Sequence, residues 1–168
     1  MIAVESNILV YSHRRDSPWH AAAARVVHEL WAGTEPWAIP WPSIHEFLSV
    51  STNPRIYRPS TTLAVAVSQV REWMESPSLR LLGESTGYFD RLEAVLKEGA
   101  VTGGMVHDAR IAALCLHHGV SELLTADRDF SRFPSLKSRT PCSPERAALI
   151  DTFNTATRHN RSLPCEHC

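Results

Sequence analysis

Short apolar runs alternate with longer stretches of helical spacing along most of this chain, and that alternation restricts its fold more than any other feature. Ile2-Ala3-Val4, Ala38-Ile39, Leu79-Arg80-Leu81-Leu82 and Glu122-Leu123-Leu124-Thr125 are too short for helices and read as strands, with Ser135 to Arg139 as a last one. Ser6-Asn7 offers a helix start ahead of Ile8, Leu9, Val10 and Tyr11. Ser17 can cap a second helix, with Pro18 in its first turn, running from about Trp19 to Trp31 and ended by Gly33. Further helices are expected over about Pro42–Ser51, Ser60–Met74, Tyr88–Lys97 and Met105–His118, the last ended by Gly119. Strands alternating with helices predict an α/β domain around a short parallel sheet.

A length of 168 residues suits one domain with a full core. After about Pro144 the core signal fades, so 1–144 is expected to be the domain and 145–168 a polar, flexible tail. The net charge of −1 means that any attraction for nucleic acid has to come from a local patch. No apolar run approaches the roughly 20 residues that cross a bilayer, so no membrane partner is expected. The opening residues lack the pattern of a secretory signal, and the expected location is the cytoplasm, where thiols stay reduced. Cys115 sits in an apolar helical stretch and is expected in the core, while Cys142, Cys165 and Cys168 fall in the tail. Cys165-Glu166-His167-Cys168 has C-x-x-C spacing without a second close ligand pair, and reads as an unstructured end rather than a closed zinc site.

The acids carry the functional signal. Glu5 follows the first strand and Asp127 follows the strand ending at Leu124-Thr125. In open parallel sheets, ligands bind beyond the carboxyl ends of strands. Glu46 lies in the early turns of the helix after the second strand, and Asp108 in the first turn of the Met105 helix. A single acid at a helix start is usually a cap or a dipole partner. Four from distant segments meeting at one edge would repel one another without a cation, and hard oxygen donors suit Mg²⁺ or Mn²⁺. Such a site suits cleavage of phosphodiesters.

Four blocks of sequence resemble the PIN-domain toxins of bacterial toxin–antitoxin pairs, the VapC type. They are Met1-Ile2-Ala3-Val4-Glu5-Ser6-Asn7-Ile8-Leu9-Val10-Tyr11, Pro42-Ser43-Ile44-His45-Glu46-Phe47, His107-Asp108-Ala109-Arg110-Ile111-Ala112-Ala113, and Leu124-Thr125-Ala126-Asp127-Arg128-Asp129-Phe130 followed by Phe133-Pro134. They stand in family order across about Met1 to Arg139. The resemblance implies a three-layer α/β/α domain and a Mg²⁺-dependent endoribonuclease acting on RNA. It also implies a homodimer, restrained by a small cognate antitoxin through which any contact with DNA is indirect. Carried over residue by residue, it implies an acidic catalytic site of Glu5, Glu46, Asp108 and Asp127. The metal would sit on Glu5, Asp108 and Asp127, with Asp129 as an extra ligand or support. Ser6 and Thr125 would be supporting hydroxyls and Asn7 an ordering amide. One position departs from the pattern: Glu5 stands where the family ordinarily has Asp. The added methylene displaces the carboxylate by about one C–C bond, ~1.5 Å, a shift that octahedral Mg²⁺ tolerates poorly. A weakened site is therefore expected.

Arg14, Arg15, Arg110, Arg128 and Arg132 are placed to rim such an edge and hold RNA phosphates. Trp37, Trp41 and Tyr57 are candidates for stacking on bases, with core burial the more ordinary fate of the tryptophans. His45 and His107 each neighbour a site acid and are expected to face solvent, while His117-His118 suits the negative end of its helix. Two other functions fit the same residues. One is a module that binds RNA or an antitoxin without cleaving, because Glu5 spoils the metal geometry. The other is a nuclease of DNA or of RNA maturation that has no antitoxin.

Overall fold

A computed structural model describes residues 1–142; the expected tail over 145–168, with Cys165 and Cys168, lies outside the described residues. Among the described residues there are five parallel strands: β1 (Ile2–Val4), β2 (Trp37–Pro40), β3 (Leu79–Leu82), β4 (Glu122–Leu124) and β5 (Ser138–Arg139). Six helices connect them: α1 (Ser6–His13), α2 (His20–Ala32), α3 (Trp41–Ser51), α4 (Leu63–Met74), α5 (Tyr88–Glu98) and α6 (Val106–His117). The expected α/β class holds.

Alternation along the strands sorts the side chains onto two faces. Ala3, Ala38 and Leu123 point into a core closed by Val95 of α5 and by Ala109, Ala112 and Cys115 of α6. Val4, Trp37, Ile39 and Leu124 point into a second core with Ile8 and Leu9 of α1, Val27 of α2, Phe47 of α3 and Trp73 of α4. The three layers follow: α1–α4, sheet, α5–α6. α6 is covered by α5 as well as by the sheet, so its buried surface is wider than one stripe and includes Ile111, Ala113 and Leu114.

Local chemistry sets the helix ends. The Thr62 hydroxyl accepts the Val65 N–H at 3.4 Å, so α4 starts there rather than at Ser60. Gly119, at φ +69°, ends α6 in the left-handed conformation that glycine adopts freely. The edge strand β5 is two residues long and is held by ion pairs across the ladder. Glu122 of β4 meets Lys137 at 2.8 Å and Arg139 at 3.0 Å, and these partners hold its carboxyl below the usual range.

The strand order is β3-β2-β1-β4-β5. The chain builds outward from β1 to β3, then crosses back through α5 and α6 to lay β4 on the other side of β1. The order therefore reverses between β1 and β4. Crevices form beyond the carboxyl ends of strands at such a reversal. Glu5 and Thr125 are the residues that leave β1 and β4 there, and the Glu5 N–H still donates to Leu124 O at 3.0 Å.

Candidate active site

Glu5 is the first residue past β1 and the N-cap of α1. Its carboxylate accepts the Asn7 N–H at 3.2 Å, the Thr125 hydroxyl at 3.3 Å and a short hydrogen bond from the Ser6 hydroxyl. The residue is 4% exposed. Burial pushes its pKa up to about 7, against the lowering effect of the bonds from Ser6 and Asn7, and the charge of Glu46 adds to the rise.

Thr125 and Asn7 join this cap to the end of β4. The Thr125 Oγ1 accepts from Asn7 Nδ2 at 3.2 Å and from the Asp127 N–H at 2.9 Å. Asn7 Oδ1 accepts the Ala126 N–H at 3.1 Å. Asp127 in turn caps a short 3₁₀ turn, Arg128–Arg132, by accepting the Asp129 N–H at 2.8 Å. The residues carried over as supports thus form one network across the strand reversal. Asn7→Ala removes two side-chain bonds, each worth about 1 kcal/mol net. A loss of roughly 2 kcal/mol is expected in urea unfolding of the metal-free protein. An unchanged midpoint would mean that water replaces both bonds.

Asp108 stands in the first turn of α6, half-buried. Carboxylate oxygens of Asp108, Asp127 and Asp129 all lie within 4.8 Å of one another. Burial raises the Asp108 pKa first, followed by the charges of Asp127, Asp129 and Glu46, with His107 opposing. Like charges crowded around partly desolvated oxygens are what a hard divalent cation relieves, and three such donors fit one that also keeps water ligands.

Glu5 and Glu46 do not join this group, although both were expected in the acidic site and Glu5 among the metal ligands. The carboxylate of Glu5 is turned into the α1 cap and the Thr125 hydroxyl. Glu46 is exposed on α3 and acts on Glu5 and Asp108 through its charge. Asp129, expected as an extra, is a full member. Its sequence signal is the Asp-x-Asp step directly after a strand, which lets one acid cap the turn that carries the other.

The expected cationic rim is redistributed. Arg14 is 9% exposed and is not a free rim cation. Its guanidinium donates to Asp16 at 2.8 Å and to Pro59 O at 3.0 Å, and lies 4.2 Å from the centre of the Tyr57 ring. That stack also removes Tyr57 from the set of free aromatics. Arg110 sits 3.4 Å from Glu84 without hydrogen-bond geometry. Arg132 reaches to 3.8 Å from Asp129. Arg15 and Arg128 are exposed. Trp37 is fully buried and donates to Ser76 Oγ at 3.1 Å, so it is a core residue, whereas Trp41 stays 38% exposed. His45 and His107 face solvent as expected, and Cys115 is buried.

Sequence reasoning did not single out Tyr11 and Trp19. Both line a cavity that also takes in Thr125 and Asp127. No spacing links them to the acids; only the packing of α1 and α2 beside β4 brings them there.

The family model for the PIN domain matches residues 2–136. Ribonuclease VapC48 of Mycobacterium tuberculosis is 31% identical over 137 residues, which cover 82% of this chain and 94% of that protein. VapC ribonuclease Mb2897 of Mycobacterium bovis is 29% identical, covering 84% and 95%. Among solved structures, VapBC2 from Rickettsia felis, bound to a DNA fragment from its promoter, superposes with a TM-score of 0.59 at 19% identity, covering 83% of this chain and 98% of that one. VapC20 of Mycobacterium tuberculosis, a toxin that cleaves the Sarcin-Ricin loop, superposes with a TM-score of 0.58 at 18% identity, covering 78% and 93%.

Proposed function

This chain belongs to the PIN-domain family, in its VapC ribonuclease toxin branch, and we propose that it is a Mg²⁺-dependent endoribonuclease acting in the cytoplasm and held in check by a small cognate antitoxin. The observation that carries this is the group of Asp108, Asp127 and Asp129 at the strand reversal. Those three hold the divalent cation, Mg²⁺ or Mn²⁺. When bound, it supplies charge neutralisation at the scissile phosphate and acidifies a water. Asp127, fixed by the Thr125 hydroxyl and by its own cap on Asp129, keeps two donors in register. Glu5 braces the junction beneath them, and Glu46 adds negative charge at the rim. Arg128 is the exposed cation nearest in sequence to these donors and orients the RNA backbone.

Antitoxin control is part of the same proposal, because the structural neighbours include toxin–antitoxin complexes; the homodimer is proposed on the family resemblance alone. An antitoxin side chain that silences the trio should be an arginine, whose planar fork matches crowded carboxylates. The direct test incubates total RNA with the purified chain in Mg²⁺ and in EDTA and maps the cut ends. Cleavage that survives EDTA, or none in Mg²⁺, rejects the proposal.

The position of Glu5 favours a second reading, a module that binds RNA or the antitoxin and does not cleave. Its carboxyl is buried in a cap and titrates near neutrality. Glu5→Asp separates the two. Aspartate is the better N-cap, and its shorter side chain restores the acid that the family pattern has at this position. Single-turnover cleavage is expected to rise on the order of tenfold, ~1.4 kcal/mol of barrier. Equal rates in parent and variant mean that the site already works with the longer acid. No cleavage by either gives the second reading.

A further inference from the structure

A cavity in the described surface takes in Asp127 of the acidic trio as part of its lining. It measures ≈ 730 Å³, and Thr125 also forms part of its wall, so it is continuous with the site. Its volume falls in the range of about 300–1,000 Å³ typical of small-ligand sites. Two half-buried aromatic rings, Tyr11 and Trp19, line one part, and two arginines, Arg128 and Arg139, another. The rings pack into the second core on one side, which holds their planes in place. Arg139 is tied through Nε to Glu122 at 3.0 Å, which fixes its guanidinium against the wall. Arg128 is exposed and makes no ion pair among the described residues.

Fixed aromatic faces next to one guanidinium unpaired among the described residues, Arg128, and one anchored by Glu122, Arg139, opening onto the acidic trio, match one ligand chemistry. A base offers a π-face to the rings, and its phosphate offers charge to the guanidiniums. A base still paired in a duplex cannot turn its face to a protein ring, so the occupant is an unpaired nucleotide. We propose that the cavity bounded by Tyr11, Trp19, Arg128 and Arg139 is a nucleotide subsite that seats one unpaired base of the RNA beside the scissile phosphate. The occupant rests on the nuclease reading above. The subsite explains how a chain of net charge −1 can select RNA: recognition is concentrated in one cleft, and single-stranded segments are preferred over helices.

The test uses a short single-stranded RNA carrying 2-aminopurine, whose fluorescence is quenched on stacking, and the full chain with Asp108→Asn so that nothing is cut. Trp19→Leu, which keeps apolar volume against the core, is expected to weaken binding about tenfold and to reduce the quench. Arg128→Gln is expected to lower the slope of log affinity against log salt by about 0.7, the value for one phosphate contact on a single strand. A structural role for either residue would move the melting temperature instead. Unchanged affinity, quench and salt slope in both variants overturn the subsite, even if the parent chain cleaves RNA in Mg²⁺. Equal binding of the same sequence as a duplex, with the same dependence on Trp19, also overturns it. If the variants lose only a co-expressed antitoxin and bind RNA like the parent, the cavity belongs to the antitoxin and the proposal falls. Trp19-dependent stacking by a chain that never cleaves RNA would uphold the subsite and reject the nuclease reading.

Discussion

Asp108→Asn is expected to lower Mg²⁺-dependent RNA cleavage by on the order of 10³-fold or more, at least ~4 kcal/mol of barrier, while the metal-free fold becomes as stable as the parent or more so. Two effects of opposite sign act on this carboxylate. Its place in the first turn of α6 favours negative charge, by about 0.3–1 kcal/mol at such a helix end. Burial and the charges of Asp127, Asp129 and Glu46 disfavour it, and these win, because the net pKa is raised. A carboxyl whose folded pKa is raised lowers stability above its unfolded pKa. That cost shrinks as pH falls from the folded pKa to the unfolded one, and it is gone when the acid is replaced by a neutral isostere. Asparagine keeps the shape and removes the charge. Single-turnover rates on one RNA, with melting curves in EDTA, check both halves. Retained cleavage would mean that the trio is not the metal centre. A lower melting temperature without metal would make Asp108 a structural cap.

Much of this fold can be read from apolar runs because each strand here is short, buried and bounded. Leu79–Leu82 is observed with the expected limits, and β1, α3 and α5 fall within a residue of theirs. The strand order is not readable in that way. Nothing in the run Glu122–Leu124 says that it pairs with β1 rather than β3; that follows from α5 and α6 covering the second face. The last strand is shorter than its sequence suggests because only Ser138 and Arg139 find ladder partners on β4. At the site, Asp108 and Asp127 are legible because position relative to an element is a local property. The role of Glu5 is not, since a key hydroxyl partner lies 120 residues away. Arg14 shows the same limit. Asp16 stands two residues on and is visible in sequence, but the Tyr57 ring and the Pro59 carbonyl that immobilise the guanidinium are not.

Glu5 also dictates how the metal-free protein should respond to pH. Its carboxyl binds a proton more tightly folded than unfolded, at about 7 against 4.5. Below 4.5 both states hold the proton and Glu5 costs nothing. As pH rises between the two values the unfolded state ionises first, so stability falls, by about 3 kcal/mol in all, and then levels off. Asp16 and Glu122 have lowered pKa values and act in the opposite direction, losing their contribution as pH falls through their folded values. A raw stability curve therefore mixes the two signs. Comparison with Glu5→Gln cancels the shared part, because glutamine stands in for the protonated acid and its carbonyl still accepts the Asn7 N–H. The stability of the variant relative to the parent should grow by about 3 kcal/mol between roughly pH 4 and pH 8, read from urea midpoints at constant m. A difference that stays flat would mean that Glu5 is ionised in the folded protein at neutral pH. The three hydrogen bonds from Ser6, Asn7 and Thr125 would then outweigh burial. If the slope is found, adding Mg²⁺ should shrink it, because a cation held by the neighbouring aspartates favours the ionised form and releases the proton. That coupling would tie the buried acid to the metal site.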